Sequence, residues 1–147
     1  MLDAGPVIEA LRAARDGGRP ALLAIAARAM RAAGGPYTSV YLYMLHGNEL
    51  VLEAYDGRAT EHTRIPVGRG VCGTAVADHR DQNVPDVTAL SNYLACNFYT
   101  RSELVVLIEK NGEILGQIDV DSDVPAGFSD PEHQAVRRIA DQLAALL

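Results

Sequence analysis

Ser102-Glu103-Leu104-Val105-Val106-Leu107-Ile108-Glu109, then Lys110-Asn111-Gly112, then Glu113 through Asp121, is the stretch that decides the fold. Two runs rich in branched residues flank an Asn-Gly turn, which is a strong hairpin signal. An earlier stretch repeats the pattern. Thr38 to Leu45 is aromatic and branched, His46-Gly47-Asn48 is a turn, and Glu49 to Tyr55 returns. Two antiparallel hairpins therefore frame the chain.

Helices surround them. Val7, Ile8, Leu11 and Ala14 share one helical face over Pro6 to Ala14. Gly17-Gly18 ends that helix, Pro20 suits the first turn of the next, and Ala21 to Ala33 is rich in alanine. Arg64 to Val67 reads as short and extended, Val71 to Asp78 as a short helix, and Asn83 to Val87 as extended. Residues 88–100 read as irregular, too long for a plain connector. The last helix spans Phe128 to Leu147, with Ser129 as N-cap and Glu132 completing a capping box. Its apolar face is Val136, Ile139, Leu143 and Leu146-Leu147. The order predicts an α+β fold: an antiparallel sheet with helices flanking it, in a single domain over residues 1–147.

Bulk properties exclude several classes. The chain has 147 residues, enough for a core without disulfides or a structural metal. Net charge is −6, which argues against nucleic acid as a partner. No run approaches the roughly 18 apolar residues of a membrane span. Asp3 and the lack of a basic leading segment argue against a secretory signal, so the cytoplasm is the expected compartment. Two cysteines make no disulfide framework.

Each cysteine has two readings. Cys72 lies in Gly70-Val71-Cys72-Gly73-Thr74-Ala75, where glycines let the backbone approach a ligand. Near a helix N-terminus its thiolate would be stabilised; the alternative is a small residue packed in a tight turn. Cys96 lies in the irregular segment, with Arg101 close in sequence to favour a thiolate; a reactive and a structural role stay balanced. Glu103, Asp119 and Asp121 fall at the hairpin's open end, and alternation puts Asp119 and Asp121 on one face opposite Glu103. Crowded carboxylates would raise one another's pKa and keep a proton near neutrality. The alternative is a solvated edge whose charges deter strand pairing. His62, Cys72 and Cys96 have no metal-ligand spacing, so no metal is expected, and His62 reads as an exposed or satisfied loop histidine. No Walker loop, dinucleotide fingerprint or Ser-His-Asp arrangement is present.

Arg64 to Ala75, Val84-Pro85-Asp86-Val87, Ala95-Cys96, Arg101 to Val106 and Gly116 to Ser122 together resemble the free methionine-(R)-sulfoxide reductases, which use a GAF fold. The resemblance runs from about residue 38 to the end. It implies reduction of free L-methionine-(R)-sulfoxide, with Cys96 as nucleophile passing through a sulfenic acid. Glu103, Asp119 and Asp121 would surround the sulfoxide and the substrate amine. No cofactor is implied; thioredoxin or another dithiol would be the external reductant.

The chain departs from the family pattern in three places. His62 stands where the family has its first cysteine, which leaves Cys72 as the candidate resolving thiol. Ser39 stands where a pocket tryptophan is usual, and the chain has no tryptophan. Asn97 replaces an aspartate, followed by Phe98-Tyr99. These departures keep open a second reading: a non-catalytic GAF module that binds a small ligand, or senses redox state through Cys72 and Cys96. A structural or dimerising role is the third, since a helix such as Ala21 to Ala33 can pack between subunits of a homodimer.

Overall fold

A computed structural model describes residues 1–90, 93 and 99–147. Helices α1 (Ala4–Ala13) and α2 (Arg19–Ala33) precede the hairpin β1 (Ser39–His46) and β2 (Glu49–Asp56). β3 (Arg64–Pro66), α3 (Gly70–Ala77), β4 (Gln82–Val84) and a 3-10 turn (Val87–Ala89) follow. The second hairpin is β5 (Ser102–Lys110) and β6 (Glu113–Ser122), and α4 (Asp130–Leu146) closes the described chain.

The six strands form one antiparallel sheet in the order β3-β2-β1-β6-β5-β4. β1 pairs with β6, so the two hairpins join at the centre. The three-residue strands β3 and β4 take the edges, which leaves little unpaired backbone. In the Asn111-Gly112 turn both residues have positive φ (54° and 79°), the conformation a tight two-residue hairpin needs.

Strict alternation sorts the central strands into two faces. Val40, Leu42 and Met44 of β1, Leu104, Val106 and Ile108 of β5, and Ile118 and Val120 of β6 turn to one side. There they meet Val7 and Leu11 of α1, Leu22, Leu23 and Met30 of α2, and Val136, Ile139 and Leu143 of α4. The opposite face carries Tyr41, Tyr43, Val105 and Leu107 beneath α3, whose Val71, Cys72 and Ala75 are buried there. The expected α+β plan is thus observed, with three helices on one face and α3 on the other.

Several boundaries differ from the sequence reading. α1 starts at Ala4 rather than Pro6, because Asp3 caps it by accepting from the Gly5 amide at 3.0 Å. Ser129 does cap α4, accepting from the Glu132 amide at 3.3 Å. The other half of the capping box is not formed as expected. The buried Glu132 carboxylate instead accepts from the Leu2 amide at 3.0 Å, fixing the start of the chain to α4. Leu146 and Leu147 are only half-buried, packed at the edge of the core.

Candidate active site

The site lies on the α3 face of the sheet. β5 and β6 are central strands, so their carboxylates are not a solvated edge: Glu103 is 5% exposed, and Asp119 and Asp121 are each 2% exposed. Glu103 sits directly across from Asp121, and Asp119 is one pleat further along β6. On the other side of β6, Ser39 faces Asp121, Tyr41 faces Asp119 and Tyr43 faces Gln117. The grouping expected from alternation is therefore present.

α3 brings Cys72 onto this group. Gly70 has φ 65°, which turns the chain sharply into the helix. Gly73 packs so closely on the preceding turn that a Cβ there would lie 2.5 Å from the Pro66 carbonyl oxygen. The Gly68 amide bonds the Gly73 carbonyl at 2.8 Å. The glycines thus hold α3 flat against the turn after β3. The Cys72 Sγ consequently stands 3.3 Å from Asp119 Oδ2 and 4.0 Å from Glu103 Oε2.

This environment overturns the expectation of a stabilised thiolate. Burial pushes the Cys72 thiol well above its ordinary pKa, and the charges of Asp119 and Glu103 add to the effect. Cys72 therefore rests as a thiol, with Asp119 as its acceptor. The packing alternative for Cys72 is also realised, since it belongs to the apolar cluster on this face.

Asp119 and Asp121 keep protons more readily than ordinary carboxyls. Burial raises Asp119, while hydrogen bonds from Glu103 and Cys72 pull the other way. Asp121 is pushed well up, first by burial and then by the charges of Asp119 and Asp123; Arg58 opposes this. Crowding was expected to be the cause, but desolvation is the larger one.

A small cleft opens over the group, lined by Tyr43, His62, Ile65, Val71, Cys72, Tyr93, Glu103 and Asp119. Of the two readings of His62, exposed or satisfied, the exposed one does not hold: the residue is half-buried on the cleft wall, in the connection between β2 and β3. Its carbonyl accepts from the Tyr43 hydroxyl at 2.7 Å, which ties the β2–β3 connection to β1. Tyr41 does the same for the Arg58 carbonyl at 2.7 Å. Sequence reasoning missed Tyr43, although its register beside the acidic strand was a usable signal. Ser39 is buried and accepts from the Arg58 amide at 2.9 Å, so it serves the loop rather than the cleft. Arg58 makes a two-pronged ion pair with Asp123 (2.7 and 2.6 Å) and lies 5.2 Å from the centre of the Tyr99 ring. Cys96, Asn97 and Phe98 lie outside the described residues.

A central antiparallel sheet with helices on one face and a thiol–carboxylate cleft on the other defines a GAF-type domain with a cysteine in its cleft. The sequence model of the GAF domain family matches residues 19–147. The free methionine-R-sulfoxide reductase of Escherichia coli (strain K12) is 39% identical over 105 residues, which is 71% of this chain and 63% of that protein. The type II free methionine-R-sulfoxide reductase from Thermoplasma acidophilum superposes with a TM-score of 0.83 at 34% identity, covering 95% of this chain and 94% of that one. The Neisseria meningitidis free methionine-R-sulfoxide reductase, solved in complex with its substrate, gives 0.89 at 32% identity, covering 97% and 84%. The chain belongs to the GAF domain family and, within it, to the free methionine-R-sulfoxide reductases. No helix among the described residues is long and apolar enough to cross a membrane.

Proposed function

We propose that this chain reduces free L-methionine-(R)-sulfoxide to methionine through a sulfenic acid on Cys96, with residues 1–147 acting as one GAF domain in the cytoplasm. The observation that carries the reading is the buried cluster of Cys72, Glu103 and Asp119 at the base of a cleft. A sulfoxide oxygen departs only once protonated, and a substrate ammonium needs anionic neighbours. Glu103, Asp119 and Asp121 bring the carboxyl groups for both, and the raised pKa of Asp119 and Asp121 suits them to giving the proton. The names of the Escherichia coli, Thermoplasma and Neisseria relatives support the same chemistry.

The steps balance without a prosthetic group. The Cys96 thiolate sulfur attacks the sulfoxide sulfur while the cluster gives the oxygen two protons, so that a sulfur–sulfur bond forms and the oxygen leaves as water. A second water then attacks the Cys96 sulfur, breaking that bond, releasing methionine and a proton and leaving Cys96 as a sulfenic acid. The Cys72 thiol then attacks that sulfur, forming a disulfide and releasing water. Asp119, 3.3 Å away, is the acceptor for the proton Cys72 must lose. Thioredoxin or another dithiol returns both sulfurs to thiols.

The test is release of methionine from the R epimer, with the S epimer as control, first under dithiothreitol and then under thioredoxin. R-selective turnover is expected with both. The absence of tryptophan and the presence of His62 on the cleft wall favour a second reading, a non-catalytic module that binds a small ligand. Tight binding of the sulfoxide without turnover under either reductant would select it.

A further inference from the structure

The atoms that converge at the base of the cleft have the spacing of a metal's ligands. Cys72 Sγ, a Glu103 oxygen and an Asp119 oxygen all lie within 4.8 Å of one another, on three buried residues. The sulfur is 3.3 Å from the Asp119 oxygen and 4.0 Å from the Glu103 oxygen. A tetrahedral zinc ion, with Zn–S about 2.3 Å and Zn–O about 2.0 Å, places sulfur and oxygen ligands ~3.5 Å apart. The two observed separations bracket that distance.

A second observation points to a ligand. Asp119 Oδ1 has no hydrogen-bond partner among the described residues, although the side chain is 2% exposed and lines the cleft. Asp121, two residues along the same face, is equally buried and has neither oxygen paired. Unmatched buried carboxylate oxygens are costly. No lysine or arginine is among the described residues lining the cleft. A divalent cation would match the oxygen on Asp119 and offset the charge around Asp121.

We propose that Cys72, Glu103 and Asp119 bind a divalent cation of the zinc class, with the remaining coordination position open to the cleft. The sulfur ligand selects a borderline-soft ion over magnesium. Binding exchanges a proton for the metal: the Cys72 thiol gives up H⁺, its sulfur bonds the ion, and neither is oxidised. A sulfur held in a disulfide cannot ligate, so the site exists only in the reduced protein. The ion would occupy the carboxylates that the reductase reading assigns to the substrate, making zinc a competitor of the sulfoxide. The site itself does not depend on that reading.

The experiment is an anaerobic Co²⁺ titration of the full Cys96→Ser chain, in which Cys72 is the only thiol. Sulfur-to-cobalt charge-transfer absorption saturating at one ion per chain, reversed by Zn²⁺ and untouched by Mg²⁺, is expected. Asp119→Asn and Glu103→Gln, each introduced into that chain and checked for folding by circular dichroism, should weaken Co²⁺ binding at least about tenfold. Absence of the charge-transfer band overturns the proposal. So does unchanged affinity in both folded carboxylate variants. The readout is independent of turnover: a band in a chain whose wild type is inactive leaves the metal site standing, and R-selective turnover without the band leaves only the reductase standing.

Discussion

Replacing Gly73 by alanine tests whether the close approach of α3 to its preceding turn is what places Cys72. The added Cβ would lie 2.5 Å from the Pro66 carbonyl oxygen and 3.0 Å from the Gly68 amide nitrogen, both backbone atoms. Relief needs a shift of about 0.5 Å or more in a packed region, and such overpacking costs about 1–3 kcal/mol. Alanine's better helix propensity and smaller unfolded-state entropy return up to about 1 kcal/mol. Contact with rigid backbone on two sides favours the upper end of the cost, so a net loss of about 2 kcal/mol is expected, or a fall of about 6 °C in Tm. The same shift lifts Cys72 from Asp119, now 3.3 Å away. A misplacement of about 1 Å can cost about 10²-fold, so a shift of about 0.5 Å is expected to reduce turnover by about 10-fold. Thermal and urea unfolding, alongside sulfoxide turnover, measure the two effects. A Gly73→Ala protein as stable and as active as the wild type would refute the argument.

Three further outcomes follow from the site. Cys72→Ser should release one methionine per chain in a single turnover but lose thioredoxin-driven cycling, while Cys96→Ser should lose both; quantifying methionine with and without the reductant separates them. Asp121→Asn should stabilise the fold at about pH 8 and not at about pH 4, in urea melts at each pH. The sign follows from the raised pKa: the folded state holds its proton more tightly, so wild-type stability is full below the unfolded value and is lost as pH rises through the folded one. In a Cys96→Ser chain, alkylation of Cys72 by iodoacetamide near neutrality should be slow, and Asp119→Asn should accelerate it by removing a charge that disfavours the thiolate.

Much of this architecture was legible because two short-range signals are strong. Asn111-Gly112 between branched runs allows one kind of turn, and the alternation of Leu104, Val106, Ile108, Ile118 and Val120 fixes which side meets the helices. The grouping of Glu103, Asp119 and Asp121 follows from the same period. What sequence could not give is set by tertiary contact. His62 reaches the cleft wall because the Tyr43 hydroxyl holds its carbonyl, a contact spanning 19 positions. Glu132 has the spacing of a capping box, yet its carboxylate serves the Leu2 amide from 130 positions away. The position of Cys72 near a helix start allows either a stabilised thiolate or a small packed residue. In the folded chain burial and two neighbouring acids outweigh that local effect.

The acids show where local and global rules conflict. Ile118 and Val120 satisfy the hydrophobic rule for a central strand, while Asp119 and Asp121 break it at alternate positions. An aliphatic residue in place of Asp119, which faces Tyr41 on β1, or of Asp121 would avoid the desolvation that raises both carboxyls. Stability therefore does not account for them. Buried carboxyls that stability does not explain are a mark of a functional site, and Asp119, on the cleft beside Cys72, stands where it can exchange a proton. Both acids lie on the face opposite the three-helix core, so their strain is kept away from the contacts that hold the fold together. That separation gives one face of the strand to the helix core and leaves the other to the buried acids and the cleft.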